Sequence, residues 1–309
     1  MKIVFHYSAG PGLAARLGML PGLDVTICPE ADDAHFAATM ADAEVLWHVL
    51  KPCTAAVIAG APKLRLIQKI GVGVNTINLA AAKARGIPVC NLPGTNAPAV
   101  AEMALLLMLA VLRRLLQLDA GLRQSVWAST PQAQDSFGEL GGKIIGLVGN
   151  GAVPRALAPV LRAMGCSVIH TRSSPSTDPD WRPLPALLAQ ADIVSLHVPQ
   201  TEATAGMMDA AAFGRMKRGA ILINTARGGL VNEAALLAAL RSGHLAGAGL
   251  DVFATEPAQV DHPIFALPNV VVTPHVAWLT AGTFDRSLAI AAENCRRLSA
   301  GADLLHRVQ

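Results

Sequence analysis

One stretch constrains this chain more than any other: Lys143-Ile-Ile-Gly-Leu-Val-Gly-Asn-Gly-Ala-Val-Pro154. Lys143 to Val148 is a β-branched and aliphatic run of the length of one buried strand. Gly149-Asn150-Gly151 is a glycine turn, and Pro154 to Met164 reads as a helix. A strand–turn–helix of this kind brings bare backbone N–H groups, here those of Ala152 and Val153, and the positive helix end close to a diphosphate. Gly149 and Gly151 matter because a Cβ would keep a phosphate away from the chain. Pro154 stands where the third glycine of a dinucleotide fingerprint belongs. Proline suits the first turn of a helix, so the helix is expected to survive with altered packing on its strand.

Around this stretch, strands and helices alternate along the chain. Strands are predicted at Lys2–Tyr7, Asp24–Cys28, Val45–Val49, Leu64–Ile67 and Pro88–Asn91, with a helix at Leu79–Arg85. This implies a small parallel sheet covered by helices. Asn96 to about Leu118 reads as one long helix, apolar nearly all round, which places it in a buried position between domains. From Lys143 the alternation is regular, with strands at Ser167–His170, Ile193–His197, Ile221–Asn224, Ala248–Asp251 and Val270–Thr273. The expected fold is α/β with two domains: a Rossmann doubly wound domain over 95–278 and a smaller flavodoxin-like domain from 1–94 and 279–309. The closing amphipathic helix, Thr283–Ser299, returns to the smaller domain. The segment Gln124–Leu140, with Trp127, Pro131 and Phe137, is either a surface excursion or an arm that packs on a second subunit.

Composition removes several classes of function. A chain of 309 residues carries a formal net charge of only +3, with no Lys/Arg cluster beyond short pairs such as Arg113-Arg114 and Arg296-Arg297. Nucleic acid is therefore not an expected partner. The longest apolar run, Met103 to Leu112, is too short to span a bilayer, and the first residues go straight into a strand pattern without the features of a signal peptide. The five cysteines are scattered (Cys28, Cys53, Cys90, Cys166, Cys295) and form no Cys-x-x-Cys pair. A reduced, cytoplasmic compartment and no metal site are expected.

Further signatures follow in order: Ile221-Leu-Ile-Asn-Thr-Ala-Arg-Gly-Gly-Leu-Val231, Asp251-Val-Phe-Ala-Thr-Glu-Pro257 and Thr273-Pro-His-Val-Ala-Trp278. With Asn91-Leu-Pro-Gly-Thr-Asn96, Ala101-Glu102 and Leu196-His-Val-Pro199, they make nearly the whole chain resemble the D-isomer-specific 2-hydroxyacid dehydrogenases. Hydride transfer to a 2-keto acid needs a cation for the carboxylate and carbonyl oxygens and a donor for the forming hydroxyl. Arg227, after a buried strand, can fork onto both oxygens. His275 is the candidate general acid/base, since an imidazole ordinarily exchanges its proton near neutrality. Glu256 is its expected partner on the other ring nitrogen. The resemblance implies these roles at the matching positions. It also implies that the N–H groups of Val72 and Gly73 receive the substrate carboxylate, although the usual acids nearby are Asn75 and Asn78. His197, Val198 and Pro199 are expected to line the cofactor, with Thr225 and Ala226. Asp251 is expected to orient the nicotinamide side or to cap a loop. Trp47 and Trp278 either shape a pocket or pack.

After the second strand of the larger domain the chain reads His170-Thr-Arg-Ser-Ser174. An acid here binds the ribose 2′-OH of NAD. Thr171, Arg172 and Ser173 instead offer an Arg and hydroxyl donors to a 2′-phosphate, so NADP(H) is the preferred cofactor and NAD(H) a possible one. The leading reading is a homodimeric reductase of small 2-keto acids, of the glyoxylate and hydroxypyruvate class. Formate dehydrogenase is disfavoured by Glu256, where Gln would be expected. A phosphoglycerate dehydrogenase-like enzyme stays open, although no residues remain after Gln309 for a regulatory domain. So does a nucleotide-sensing interaction protein of the C-terminal-binding-protein corepressor kind. A paralogue that Pro154 prevents from binding cofactor is the third alternative.

Overall fold

A computed structural model of the protein describes residues 1–127 and 137–309. The chain divides into two compact units, Met1–Asn96 with Leu279–Gln309, and Ala97–Trp278. The first unit opens with β1 (Lys2–His6), α1 (Pro11–Gly18), β2 (Asp24–Cys28), α2 (Asp33–Met40) and β3 (Val45–His48). It continues through α3 (Ala55–Ala59), β4 (Leu66–Lys69), α4 (Leu79–Ala84) and β5 (Val89–Cys90). Its sheet runs β2-β1-β3-β4-β5, all parallel. This is the doubly wound order in which the winding reverses between β1 and β3. Short polar caps start its helices: Asp32 accepts from the His35 N–H at 2.9 Å, and Asn78 from the Ala81 N–H at 2.9 Å. Asn78 thus still caps α4 without a charge.

The second unit contains α5 (Ala97–Leu112), α6 (Leu115–Arg123), β6 (Ile144–Val148), α7 (Ala152–Ala163), β7 (Ser167–Thr171), α8 (Leu184–Gln190) and β8 (Ile193–Leu196). Then come α9 (Ala210–Arg215), β9 (Ala220–Asn224), α10 (Glu233–Arg241), β10 (Leu245–Leu250) and β11 (Val270–Val272). The sheet order is β11-β10-β9-β8-β6-β7, again parallel throughout. The winding reverses between β6 and β8, beside the glycine turn, where open α/β sheets collect ligands. The final helix, α11 (Ala281–Ala300), belongs to the first unit. Buried on both faces, the strands are apolar runs and not alternating ones.

Two expectations need correction. The long helix expected from Asn96 to Leu118 is broken. The Gly138 N–H takes the Leu112 carbonyl at 2.9 Å, the group a continuing helix would offer to residue 116. Arg114 then turns left-handed (φ 48°) and α6 starts afresh. α5 lies on β9 and β10 of its own unit, with most of its residues buried and Leu106 52% exposed. The helix after the glycine turn begins two residues earlier than expected, at Ala152, with Pro154 buried in its first turn. There the missing N–H has no acceptor to lose. Trp127 is exposed, while Pro131 and the middle of the 124–140 segment lie outside the described residues. Among the described residues no helix is long and apolar enough to cross a membrane, no cluster suits a metal ion, and all five cysteines are free and buried.

Close packing of α5 on its sheet follows from the glycines of β10. A Cβ at Gly249 would lie 2.8 Å from the Leu107 Cβ, and one at Gly247 2.7 Å from Val111 Cγ1. Without side chains at these points the helix rests directly on the strand. Gly249→Ala is expected to destabilise the protein by about 1–3 kcal/mol through overpacking, read as a lower denaturant midpoint with an unchanged slope.

Candidate active site

Three loops at the C-terminal ends of β9, β10 and β11 converge in the second unit. Asn224 closes the first: its Oδ1 accepts the Ala226 N–H at 3.1 Å and its Nδ2 donates to the Arg227 carbonyl at 2.9 Å. This Asx turn places Arg227 directly past the strand. Gly228 follows, pressed so close to the second loop that a Cβ would lie 1.9 Å from the Phe253 carbonyl carbon and 2.4 Å from the Ala254 nitrogen. Both are backbone atoms and cannot move aside, so only glycine brings the Arg227 loop against the loop carrying Glu256. Glu256 Oε1 accepts the Phe253 N–H at 3.0 Å, and its Oε2 lies 2.6 Å from His275 Nδ1.

His275 is held in the left-handed region, with φ 55°. Its N–H donates to the Asp251 carbonyl at 2.7 Å, and the Trp278 indole donates to its carbonyl at 3.1 Å. The Asp251 side chain is fully buried. Its carboxylate accepts the Thr273 hydroxyl at 2.5 Å and the Val276 and Ala277 N–H groups, each at 2.9 Å. Of the two jobs open to Asp251, the described contacts are those of the loop. Trp47 is fully buried and packs in the first unit's core.

Charge follows this geometry. Burial alone would push the Glu256 carboxyl up, but the His275 hydrogen bond and charge, the Phe253 N–H and the Arg227 charge outweigh it and hold the group low. Burial pushes the Arg227 guanidinium down, and Glu256 opposes that shift. The Asp251 carboxyl is raised by burial against its three donors. An ionised Glu256 makes Nδ1 of His275 the protonated nitrogen, which leaves Nε2 for chemistry. The two side chains keep 20% and 35% of their surface, so a small molecule can reach the pair.

The glycine turn is a second focus in the same unit. Gly149 has φ 116°, and a Cβ there would lie 2.7 Å from the His197 carbonyl oxygen and 3.2 Å from Val198 Cγ1. Its N–H donates to the Thr171 carbonyl at 3.0 Å. A Cβ at Gly151 would meet nothing within 4 Å. The N–H groups of Ala152 and Val153, in the first turn of α7, have no helical acceptor. Thr171 is buried, while Arg172 and Ser173 are exposed on the loop beyond it. Pro199 gives its carbonyl to the Thr204 hydroxyl at 2.7 Å. His197 Nε2 lies 2.9 Å from Ser195 Oγ. Thr225, beside Ala226, has a buried hydroxyl without a hydrogen-bond partner. An open cradle over Gly151 and an orphaned hydroxyl after β9 fit a dinucleotide at this edge. Val72 and Gly73 lie in the first unit, on the loop after β4. The Asn91 amide takes the Val72 carbonyl at 2.9 Å and the Leu92 N–H takes the Gly71 carbonyl at 2.8 Å. This leaves the Val72 and Gly73 N–H groups without a described acceptor.

Residues 105–277 match the family model for the D-isomer specific 2-hydroxyacid dehydrogenase NAD binding domain. The chain is 42% identical over 312 residues to D-3-phosphoglycerate dehydrogenase of Mycobacterium leprae, covering 97% of this chain and 54% of that protein. It is 38% identical over 250 residues to glyoxylate reductase of Korarchaeum cryptofilum, covering 79% and 75%. A crystal structure from Thermus thermophilus superposes with a TM-score of 0.89 at 36% identity, covering the whole of both chains. The chain belongs to the D-isomer specific 2-hydroxyacid dehydrogenase family, and its second unit corresponds to that family's nicotinamide-dinucleotide domain. It spans about half the length of the mycobacterial relatives.

Sequence reasoning named the Arg, Glu and His but missed the residues that hold them: Gly228, Asn224 and Thr273. The signals were present, as a Gly-Gly pair after Arg227 and an Asn ending a strand. Enclosure of His197 has a measurable consequence, since burial pushes its pKa from 6.5 down to about 4. Between those values the unfolded chain binds a proton that the folded ring refuses, so stability falls as pH drops through this window. His197→Gln is expected to flatten the slope of unfolding free energy against pH there, as followed by urea midpoints.

Proposed function

We propose that the protein is an NADPH-dependent reductase of small 2-keto acids, of the glyoxylate and hydroxypyruvate class, which it converts to D-2-hydroxy acids in the cytoplasm. The observation that carries the reaction class is the 2.6 Å contact between Glu256 and His275 beside the half-buried Arg227. Bound NADPH supplies the hydride. Arg227 binds the carbonyl and carboxylate oxygens of the acid and draws charge from the carbon that is reduced. His275 delivers the proton from Nε2 to the forming hydroxyl. Glu256 keeps the ring oriented through Nδ1. The N–H groups of Val72 and Gly73 are assigned to the substrate carboxylate.

In the cofactor assignment, Gly149, Gly151, Ala152 and Val153 receive the diphosphate. Thr171, Arg172 and Ser173 receive the 2′-phosphate, since no carboxylate stands there to repel it. His197, Val198, Pro199, Thr225, Ala226 and Asp251 line the nicotinamide half, with Asp251 acting through the loop it holds. A homodimer is supported by the apolar side chains left exposed on α5, α6 and the chain after them: Leu106, Leu115, Leu116, Leu122 and Trp127. Exposed apolar side chains of this kind favour a protein partner.

A phosphoglycerate dehydrogenase-like activity is the second reading, favoured by the names of the mycobacterial relatives. Against a phosphorylated substrate stands the state of the lysines at the C-terminal edge of the first sheet. Lys51 Nζ is 2.6 Å from both Asp33 Oδ1 and the Glu30 carbonyl. Lys69 is buried, with its ammonium on the Val49 carbonyl and near His48. These cations already have partners, which suits an acid with one anionic group.

The test is the loss of reduced-nicotinamide absorbance with NADPH and NADH in parallel, against glyoxylate, hydroxypyruvate, pyruvate, phenylpyruvate and 3-phosphohydroxypyruvate. The expected result is turnover of the first two with NADPH favoured. His275→Ala is expected to lower kcat by about 10²–10⁴, and Thr171→Asp to move the preference towards NADH. Faster turnover of the phosphorylated acid would establish the second reading, and cofactor binding without turnover of any acid would point to a sensing protein.

A further inference from the structure

The buried side of the glycine turn carries a polar contact that the proposed reaction does not use. Asn150, the middle residue of the turn, places its Nδ2 3.1 Å from His170 Nε2. His170 is the fourth residue of β7 and is 7% exposed. The chain beyond Thr171 leaves the strand with Arg172 and Ser173, then folds back along it. The Asp180 carbonyl accepts the His170 N–H at 2.9 Å, and the His170 carbonyl accepts the Arg182 N–H at 2.8 Å. A parallel bridge pairs His170 with Trp181. From α7, Arg162 donates to Asp180 at 2.7 Å. Besides Asn150, the charged group facing the ring is the Asp178 carboxylate, 3.8 Å from Nε2. One imidazole therefore touches the glycine turn through its side chain and the returning segment 178–182 through its backbone.

We infer that Asn150 and His170 are positioning residues that hold the glycine turn in register with the Arg172–Ser173 loop, so that the two halves of the adenine-nucleotide cradle meet a nicotinamide dinucleotide as one prearranged surface. The inference rests on the nucleotide reading of this edge. Without the contact the two are still joined where the Gly149 N–H meets the Thr171 carbonyl, but the Asn150 amide no longer fixes the turn's outer peptide. Prearrangement matters because a loop ordered only on binding takes its ordering entropy out of the affinity. The pair is also asymmetric in its response to mutation. Removing one partner leaves the other unsatisfied at a part-buried position, whereas replacing both with apolar groups of similar size avoids that penalty.

The experiment is a double-mutant cycle on dinucleotide affinity. Kd values for NADPH and NADH are measured by nicotinamide fluorescence for the wild type, Asn150→Leu, His170→Phe and the double variant, with thermal midpoints for each. Each single change is expected to raise Kd by roughly three- to tenfold. The double variant is expected to bind no more weakly than the poorer single one, and His170→Gln, whose amide oxygen can accept from Asn150, to bind close to wild type. Strictly multiplicative effects of the two single changes would overturn the proposal. So would lower thermal midpoints with unchanged Kd, which would make the contact one of stability alone. A wild type that favours NADH sinks the 2′-phosphate assignment, and the cycle run with NADH still decides the pairing. A wild type that binds neither dinucleotide overturns both.

Discussion

The hydrogen bond between Glu256 and His275 organises the whole C-terminal edge of the larger sheet. At 2.6 Å it is a short, charge-assisted contact of the strong kind, and it requires two loops from different strands to agree closely in position. Gly228 permits that agreement from one side by letting backbone pass backbone, and the Phe253 N–H holds the second Glu256 oxygen from the other. Glu233, opening α10, extends the support: its Oε1 accepts the Ala254 N–H at 2.8 Å and its Oε2 lies 3.3 Å from His262 Nε2. A site built in this way is rigid because each of its central side chains is fixed by neighbouring backbone and side chains.

The glycine turn obeys a different logic. At Glu256 and His275, side chains are aimed at one another; at the turn, side chains are kept away. Gly149 has to pass under the His197 carbonyl, and Gly151 leaves open space for a ligand. Pro154 takes the third position without breaking the helix because the first helical turn offers no acceptor to the N–H that proline lacks. The nearness of helix and strand at this end is secured elsewhere: Gly146 on β6 lies so close to α8 that a Cβ would stand 2.6 Å from Leu187 Cδ2.

The fold class was legible because parallel strands buried on both faces are continuous apolar runs, and because helices separate them at regular intervals. Arg227, Glu256 and His275 were legible as residue types in ordered motifs. Their supports were not, because Gly228 matters only through Phe253 and Ala254, some twenty-five residues further on, and no local pattern carries that distance. The break at Arg114 was hidden for the same reason. No glycine or proline marks it; it comes from Gly138 reaching back for the Leu112 carbonyl. Asn150 and His170 each read as ordinary residues of a turn and a strand, and only register brings them together.

Why a carboxylate stands at position 251 follows from the backbone of His275. A histidine in the left-handed region costs on the order of 1–3 kcal/mol unless its surroundings determine it. The turn from Thr273 to Ala277 presents a hydroxyl and two N–H groups to the same point, and the Asp251 carbonyl takes the His275 N–H as well. An ionised carboxylate is acceptor-only and can satisfy the hydroxyl and both N–H groups at once, whereas an amide would turn an NH₂ group towards at least one of them. Burial raises the Asp251 carboxyl and works against this ionised form, so the donors have to be close and well aligned for the charge to persist. Asp251 thus acts on the His275 ring through the peptide that carries it, and the left-handed backbone at His275 is held in place by a buried carboxylate.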